Sequence, residues 1–193
     1  MTPVRVIVEG LIQLFDRLDI KYMVGGSFAS SAWGAPRQTH DIDIAVYLTA
    51  SDAEQLFKLT ESDFMVSLSD MKDAVRSSEE FRAFQMIHIE ESFKVDVFVL
   101  HHSAYSEASI ARSVLYELYP GLMVQFASPE DTVITKLRWF VLGNRVSDKQ
   151  WNDIVMVLSL QGDQMEEEYM AKWATHFEVM DLLRDAQSQV IRP

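Results

Sequence analysis

Lys21-Tyr22-Met23-Val24-Gly25-Gly26-Ser27, then thirteen residues, then Asp41-Ile42-Asp43-Ile44-Ala45-Val46-Tyr47, is the stretch that decides how this chain folds. Its first part is a short apolar strand running into two glycines, which permit a tight turn, and a serine placed to cap a helix over Phe28 to Trp33. Gly34 to His40 reads as a loop, because Pro36 disfavours helix at its predecessor and lacks a backbone donor. The last part alternates apolar and polar residues with a period of two, a second strand.

Upstream, Val4, Ile7, Val8, Leu11, Leu14, Phe15 and Leu18 recur at helical spacing, so an amphipathic helix opens the chain. Downstream, the pattern predicts a helix over 52–60 opened by Ser51 and a strand over 64–68. Strands over 81–89 and 94–100 are joined by the polar turn Glu90-Glu91-Ser92 as an antiparallel pair. A helix over 103–116 and a strand over 122–126 complete a mixed α/β part. At Ser128-Pro129-Glu130-Asp131 the pattern turns helical, with an N-cap serine, proline in the first turn and two early acids. Helices are expected over 129–142, 148–160, 166–177 and 179–189, broken at Gly143-Asn144 and Gln161-Gly162-Asp163. The division expected is a core over 1–127 and a helical segment over 128–193.

A length of 193 residues leaves no room for two large domains. The acids outnumber the bases, 29 to 17, and the net charge of -12 argues against an extended nucleic-acid surface, which needs clustered cations. No apolar run is long enough to span a membrane, no signal peptide is read at the N-terminus, and the absence of cysteine makes a cytoplasmic location the expectation. Any metal must then be held by carboxylates or histidines.

Asp41 and Asp43 stand two apart on one strand and point to one face while Ile42 and Ile44 point to the other. Two carboxylates on a rigid strand end make a chelate for Mg²⁺ that leaves other positions for water and phosphate; the competing reading is a solvated strand terminus. Asp96 lies inside the otherwise apolar Val95 to Leu100, where an unpaired carboxylate costs several kcal/mol. A neighbouring Lys or Arg, a raised pKa, or a metal shared with Asp41 and Asp43 would compensate it. If the two strands pair, three carboxylates converge, and two divalent ions roughly 4 Å apart would satisfy them. Gly25, Gly26 and Ser27 offer backbone amides and a hydroxyl to phosphate oxygens at a helix N-terminus.

The Gly25-Gly26-Ser27 turn, the Asp41-Ile42-Asp43-Ile44 strand and the later Val95-Asp96-Val97 resemble, in order, the signature of the nucleotidyltransferase superfamily related to DNA polymerase beta. Within it, Tyr22 to Val46, Ser128 to Leu137 and Ser147 to Ile154 are similar to the small prokaryotic abortive-infection AbiEii-type nucleotidyltransferase toxins. The resemblance implies a nucleotidyltransferase fold, a mixed sheet with flanking helices plus a C-terminal helical segment. It implies transfer of a nucleoside monophosphate from an NTP to an acceptor hydroxyl, with release of pyrophosphate and with Mg²⁺ or Mn²⁺ as cofactor. Asp41, Asp43 and Asp96 would bind the metal, and Asp96 would help deprotonate the acceptor. Gly25, Gly26 and Ser27 would hold the triphosphate, joined by Arg37 from the loop, by Lys136 emerging beside the cleft, and by Asp153 as a secondary site. An ion pair of Asp153 with Lys149, one turn away, is the competing reading. The acceptor, whether tRNA, protein or small molecule, is open, and a tRNA end would need Arg37, Lys136, Arg138, Arg145 and Lys149 on one face. Rival readings are a nucleotide-binding regulatory member of a toxin-antitoxin pair, with an antitoxin or operon partner, and a metal-dependent phosphodiesterase. His101-His102, Glu166-Glu167-Glu168 and the Tyr169, Trp173, Phe177 stripe read as structural.

Overall fold

The computed structural model describes residues 2–190. In chain order they form α1 (Pro3–Arg17), β1 (Tyr22–Val24), α2 (Gly26–Trp33), β2 (Asp41–Val46), α3 (Ala50–Thr60), β3 (Phe64–Met65), α4 (Leu68–Arg76), β4 (Ala83–His88), β5 (Lys94–Val99), α5 (Ala104–Ala111), β6 (Val114–Tyr119), β7 (Leu122–Phe126), α6 (Pro129–Leu142), α7 (Asp148–Gln161), a 3₁₀ turn (Gly162–Gln164), α8 (Glu167–His176) and α9 (Met180–Ser188). A mixed α/β architecture, as expected, is what the chain adopts. No helix among the described residues is long and apolar enough to cross a membrane.

The chain divides into two compact units. The first runs up to Val24 and from Thr39 to Phe126; the second takes Gly25–Gln38 and everything from Ala127 on. Gly25–Gln38, which the expected core over 1–127 included, groups with the helices that follow Ala127.

In the first unit the described residues build one seven-stranded sheet in the order β3-β4-β5-β2-β1-β7-β6. β2 and β5 are parallel, β1 and β7 are parallel, and the other neighbours are antiparallel. Central strands alternate strictly: Ile42, Ile44, Val46, Val95, Val97 and Val99 are buried, while Asp41, Asp43, Lys94 and Asp96 are half-buried on the other face. This period of two with one apolar face pins the register, since a one-residue slip would drive the acids into the core. α1 buries Ile7, Val8, Leu11 and Phe15 of the expected stripe together with Ile12, while Val4, Leu14 and Leu18 are half-buried.

Three expectations are corrected here. The predicted strand over 64–68 stops at Met65, and Leu68–Arg76 is helix, opened by Ser67 accepting from the Asp70 amide and burying Met71 and Ala74. The predicted helix over 103–116 ends at Ala111, and Val114–Tyr119 is the edge strand β6 on β7, its β-branched and aromatic residues suited to a pleated surface. The cap of α3 is Thr49 rather than Ser51, because Thr49 and Asp52 exchange hydrogen bonds as a capping box.

In the second unit α2 packs on α6 and α7, α6 on α8, and α7 on α9. Ser128 caps α6 by accepting from the Asp131 amide and donating to the Asp131 carboxylate at 2.9 Å. Tyr169 of α8 donates to the other Asp131 oxygen at 2.8 Å, tying the start of α6 to α8. Gly34 is required where α2 meets α7: a Cβ there would stand 2.8 Å from the Ser30 carbonyl oxygen and 3.2 Å from the Val157 amide.

Candidate functional site

In the first unit the parallel register of β2 and β5 sets Asp43 beside Asp96 and Asp41 beside Lys94, all on one face. The strand pairing on which the convergence of carboxylates depended is therefore present. Thr39 donates its hydroxyl to Asp41 Oδ1 at 2.8 Å, fixing that carboxylate at the strand's start. Lys94 Nζ lies 2.7 Å from Asp96 Oδ2 and 3.5 Å from Asp41 Oδ2. The hydrogen bond to Asp96 and, against the cost of burial, the charges of Asp96 and Asp41 raise the Lys94 pKa above its ordinary value. The charge of Asp96 is thus met by a neighbouring lysine, one of the compensations open from the sequence. Lys94 was legible as a partner: it stands two residues from Asp96 on the same strand and so shares its face.

Among the described residues no three His, Asp or Glu side chains stand close enough together to hold a metal ion. The three acids share a face, but an ammonium bridges two of them. Their donor set still suits Mg²⁺ or Mn²⁺, since it offers only hard carboxylate oxygens on two rigid, hydrogen-bonded strands. On β4, Gln85 stands directly opposite Asp96 in the antiparallel register, exposed and on the same face. Gln85 drew no notice in the sequence, because only the pairing of β4 with β5 brings it beside an acid.

The second unit gathers the other expected residues. Gly25 stands just before α2 in extended backbone, and Gly26 has φ +52°, a left-handed conformation that favours glycine. Ser27 follows in the first turn, and its hydroxyl accepts a short hydrogen bond from Arg37 Nη2. The Arg37 guanidinium grips Asp153 with two bonds, Nε to Oδ1 at 3.1 Å and Nη2 to Oδ2 at 3.0 Å. Lys136 Nζ donates to the same Oδ2 at 2.9 Å, and Ser30 Oγ donates to it at 3.2 Å. Burial pushes the Asp153 carboxyl up, and the bonds and charges of Arg37 and Lys136 overcome it, holding the pKa below its ordinary value. Arg37 Nη1 is buried with no hydrogen-bond partner among the described residues.

These contacts revise two readings. Lys136, expected to emerge beside a cleft, is buried with its ammonium on Asp153. Asp153 pairs with Arg37 and Lys136 from other elements instead of depending on Lys149 one turn away. Of the other cations that a tRNA end would need on one face, Arg138 is buried with its guanidinium 3.7 Å from the centre of the Phe177 ring, while Lys149 is exposed and Arg145, also exposed, lies 3.4 Å from Asp181.

Comparison with known proteins now bears on these geometries. A sequence profile of the family described as "Nucleotidyl transferase AbiEii toxin, Type IV TA system" matches residues 9–191. The chain belongs to that family and is a nucleotidyltransferase. No curated protein matches the chain in sequence. Among solved structures, ANT(2")-Ia in complex with adenylyl-2"-tobramycin is similar at 16% identity, with 92% of this chain and 98% of that one covered and a TM-score of 0.60. An antigenic nucleotidyltransferase-like protein from Paracoccidioides brasiliensis is similar at 18% identity, covering 97% and 93%, with a TM-score of 0.54. The lincosamide antibiotic adenylyltransferase LnuA, lincomycin-bound, is similar at 14% identity, covering 83% and 98%, with a TM-score of 0.52. At such identities these likenesses speak for the fold.

Proposed function

We propose that this member of the AbiEii family transfers a nucleoside monophosphate from an NTP to an acceptor hydroxyl with release of pyrophosphate, in a reaction that depends on a divalent cation. The observation that carries this reading is the strand register that puts Asp43 beside Asp96, with Asp41 two residues away on the same face. Asp41, Asp43 and Asp96 hold Mg²⁺ or Mn²⁺, which when bound supplies positive charge to the reacting phosphate and its leaving group. The acceptor oxygen bonds to the α-phosphorus, and the bond to the bridging oxygen of the leaving pyrophosphate breaks. Asp96 takes the proton of the acceptor hydroxyl. Gly25, Gly26 and Ser27 hold the triphosphate through amides and a hydroxyl at the start of α2, where the helix dipole favours anions. Arg37 contributes positive charge beside Ser27, to whose hydroxyl Nη2 donates, and Lys136 and Asp153 set the position of the guanidinium and the charge around it. Fixed electrostatics of this kind supplies most of the catalysis in phosphoryl transfer.

On the acceptor, the engagement of Arg37, Lys136, Arg138 and Arg145 by partners inside their own unit, with a net charge of -12, favours a small or locally docked acceptor over an extended polyanion. The family's Type IV toxin-antitoxin description supports an antitoxin encoded as a partner. The test is incubation with each α-labelled NTP, Mg²⁺ or Mn²⁺, and separate pools of RNA, protein and small metabolites, beside the Asp41→Asn/Asp43→Asn variant. Label enters one pool, and the variant loses roughly 10³-fold or more of that transfer. Metal-dependent NTP binding without transfer to any pool would favour the regulatory reading, and cleaved product without pyrophosphate would favour a phosphodiesterase.

A further inference from the structure

We infer that Lys94 is a resident cation of the acidic face, competing with the divalent ion for Asp96 and Asp41 and so setting how tightly the ion is held; this rests on the metal-dependent reading above. Three carboxylates on one sheet face repel one another unless cations stand among them. Lys94 supplies one from within the fold. It occupies a core-strand position where the register puts its Cα opposite Asp41, and its Nζ sits 2.7 Å from Asp96 Oδ2 and 3.5 Å from Asp41 Oδ2. A divalent cation bound by the Asp96 carboxylate, at about 2.0–2.1 Å from an oxygen, stands within a few Å of an ammonium held 2.7 Å from Oδ2, and the two like charges repel. Tight binding therefore favours withdrawal of Nζ. The side chain is able to do so, since Lys94 is about a third exposed on its side-chain surface and carries a flexible four-carbon stem, whereas Asp96 is only 13% exposed and stays in place.

Two consequences follow from competition that a merely structural ion pair does not share. Removing the ammonium should strengthen metal binding while weakening the metal-free protein, as the carboxylates lose the counter-charge that Lys94 supplies. In the nucleotide-free state the lysine keeps the acids neutralised enough to remain folded, and it makes firm metal uptake depend on the charge that an arriving triphosphate supplies.

The experiment titrates Mn²⁺ into the wild type, Lys94→Met, Lys94→Arg and Lys58→Met, without and with a non-hydrolysable NTP analogue, reading free Mn²⁺ by electron paramagnetic resonance and the unfolding temperature by scanning fluorimetry. Lys58, on the exposed side of α3, controls for net charge alone. Without nucleotide, Lys94→Met binds Mn²⁺ at least about tenfold tighter than the wild type, the size of a partly screened charge interaction. Lys94→Arg and Lys58→Met stay within about twofold on the same reasoning. The metal-free unfolding temperature of Lys94→Met falls and recovers with Mn²⁺. Should Lys94→Met not fold, Lys94→Gln is read in the same way. Equal or weaker Mn²⁺ binding in the neutral variants, with wild-type uptake intact, would overturn the competition and leave the metal-dependent reading standing. Absence of Mn²⁺ uptake by every protein, with and without nucleotide, would overturn both.

Discussion

Asp153→Asn is the substitution whose cost can be worked most directly from the structure. The carboxylate accepts four bonds: Arg37 Nε on Oδ1, and Arg37 Nη2, Lys136 Nζ and Ser30 Oγ on Oδ2. Asparagine has one acceptor oxygen, so it will place that oxygen where three donors converge and turn its amide nitrogen toward Arg37 Nε, where a donor meets a donor. Its neutral amide takes the Asp153 charge from between Arg37 and Lys136. The Lys136 and Asp153 side chains are 9% and 10% exposed, so water repairs little of this. Breaking a buried charge pair from one side costs about 3–5 kcal/mol. For a chain of this length that lowers the unfolding temperature by on the order of 10 °C. Removing the ammonium as well relieves part of the strain, so Asp153→Asn/Lys136→Met should be at least about 1 kcal/mol more stable than the sum of its single substitutions.

The pH dependence has a fixed sign. A carboxyl whose folded pKa is depressed contributes stability above its unfolded value of about 3.9 and loses it as the pH falls through the folded value. Urea unfolding followed by circular dichroism should therefore show a constant gap between wild type and Asp153→Asn from pH 5 to 8, narrowing below about pH 4. A gap under about 1 kcal/mol at pH 7, or one that widens in acid, would refute the account of Asp153 as a buried carboxylate held ionised by two cations.

Three further outcomes are expected. Burial raises Tyr22 to about 12, so in ultraviolet titration its phenolate appears well above the ordinary tyrosine value of about 10. The sign is the reverse of that for Asp153: stability is intact below about pH 10 and falls as the pH rises toward 12, so this late phase should coincide with alkaline unfolding. Gly34→Ala forces a Cβ against the Ser30 carbonyl and the Val157 backbone, and denaturant melts should show a loss of about 1–3 kcal/mol. Gly26→Ala must hold a side chain at φ +52°, which costs roughly 1–2 kcal/mol, and NTP binding by calorimetry should weaken with it because the amides at the start of α2 shift.

The fold is legible wherever caps and breakers accompany the periodicity. Asp41 to Val46 alternates cleanly and sits between a proline-containing loop and a capped helix, so its strand and its two faces followed directly. The opening of α6 was equally plain from Ser128, Pro129 and two acids. Misreadings fell where two elements adjoin without a breaker. Ser113 separates α5 from β6 with neither glycine nor proline, and the helical pattern was carried on into Val114, Leu115 and Tyr116. α4 is harder to read, a nine-residue helix whose stripe of Leu68, Met71, Ala74 and Val75 is short and directly follows the two-residue strand β3, with a Ser67 cap as its start signal.

For the candidate site, legibility divides along the same physical line. Asp41, Asp43 and Asp96 declared themselves because a carboxylate on an apolar strand needs an explanation that local sequence does not provide, and the pairing of β2 with β5 then put them side by side. The Asp153 cluster had no such mark. Arg37 and Asp153 are 116 positions apart, and each alone resembles an ordinary surface residue, Asp153 even having a lysine one turn away to pair with. What recruits Lys136 and Arg37 instead is burial: once α2, α6 and α7 pack together, an ionised carboxylate among them is tolerable only with cations at bonding distance. The cluster is thus a product of packing, and its cost explains its form. Arg37 is gripped on the Nε and Nη2 edge, and Nη2 also reaches Ser27, so the charge buried for the sake of the helices also aims a guanidinium at the start of α2. A lysine at position 37 would satisfy the charge count and lose the fork, so Arg37→Lys should retain most of the stability while weakening NTP binding, a split that an ion pair of purely structural purpose would not produce.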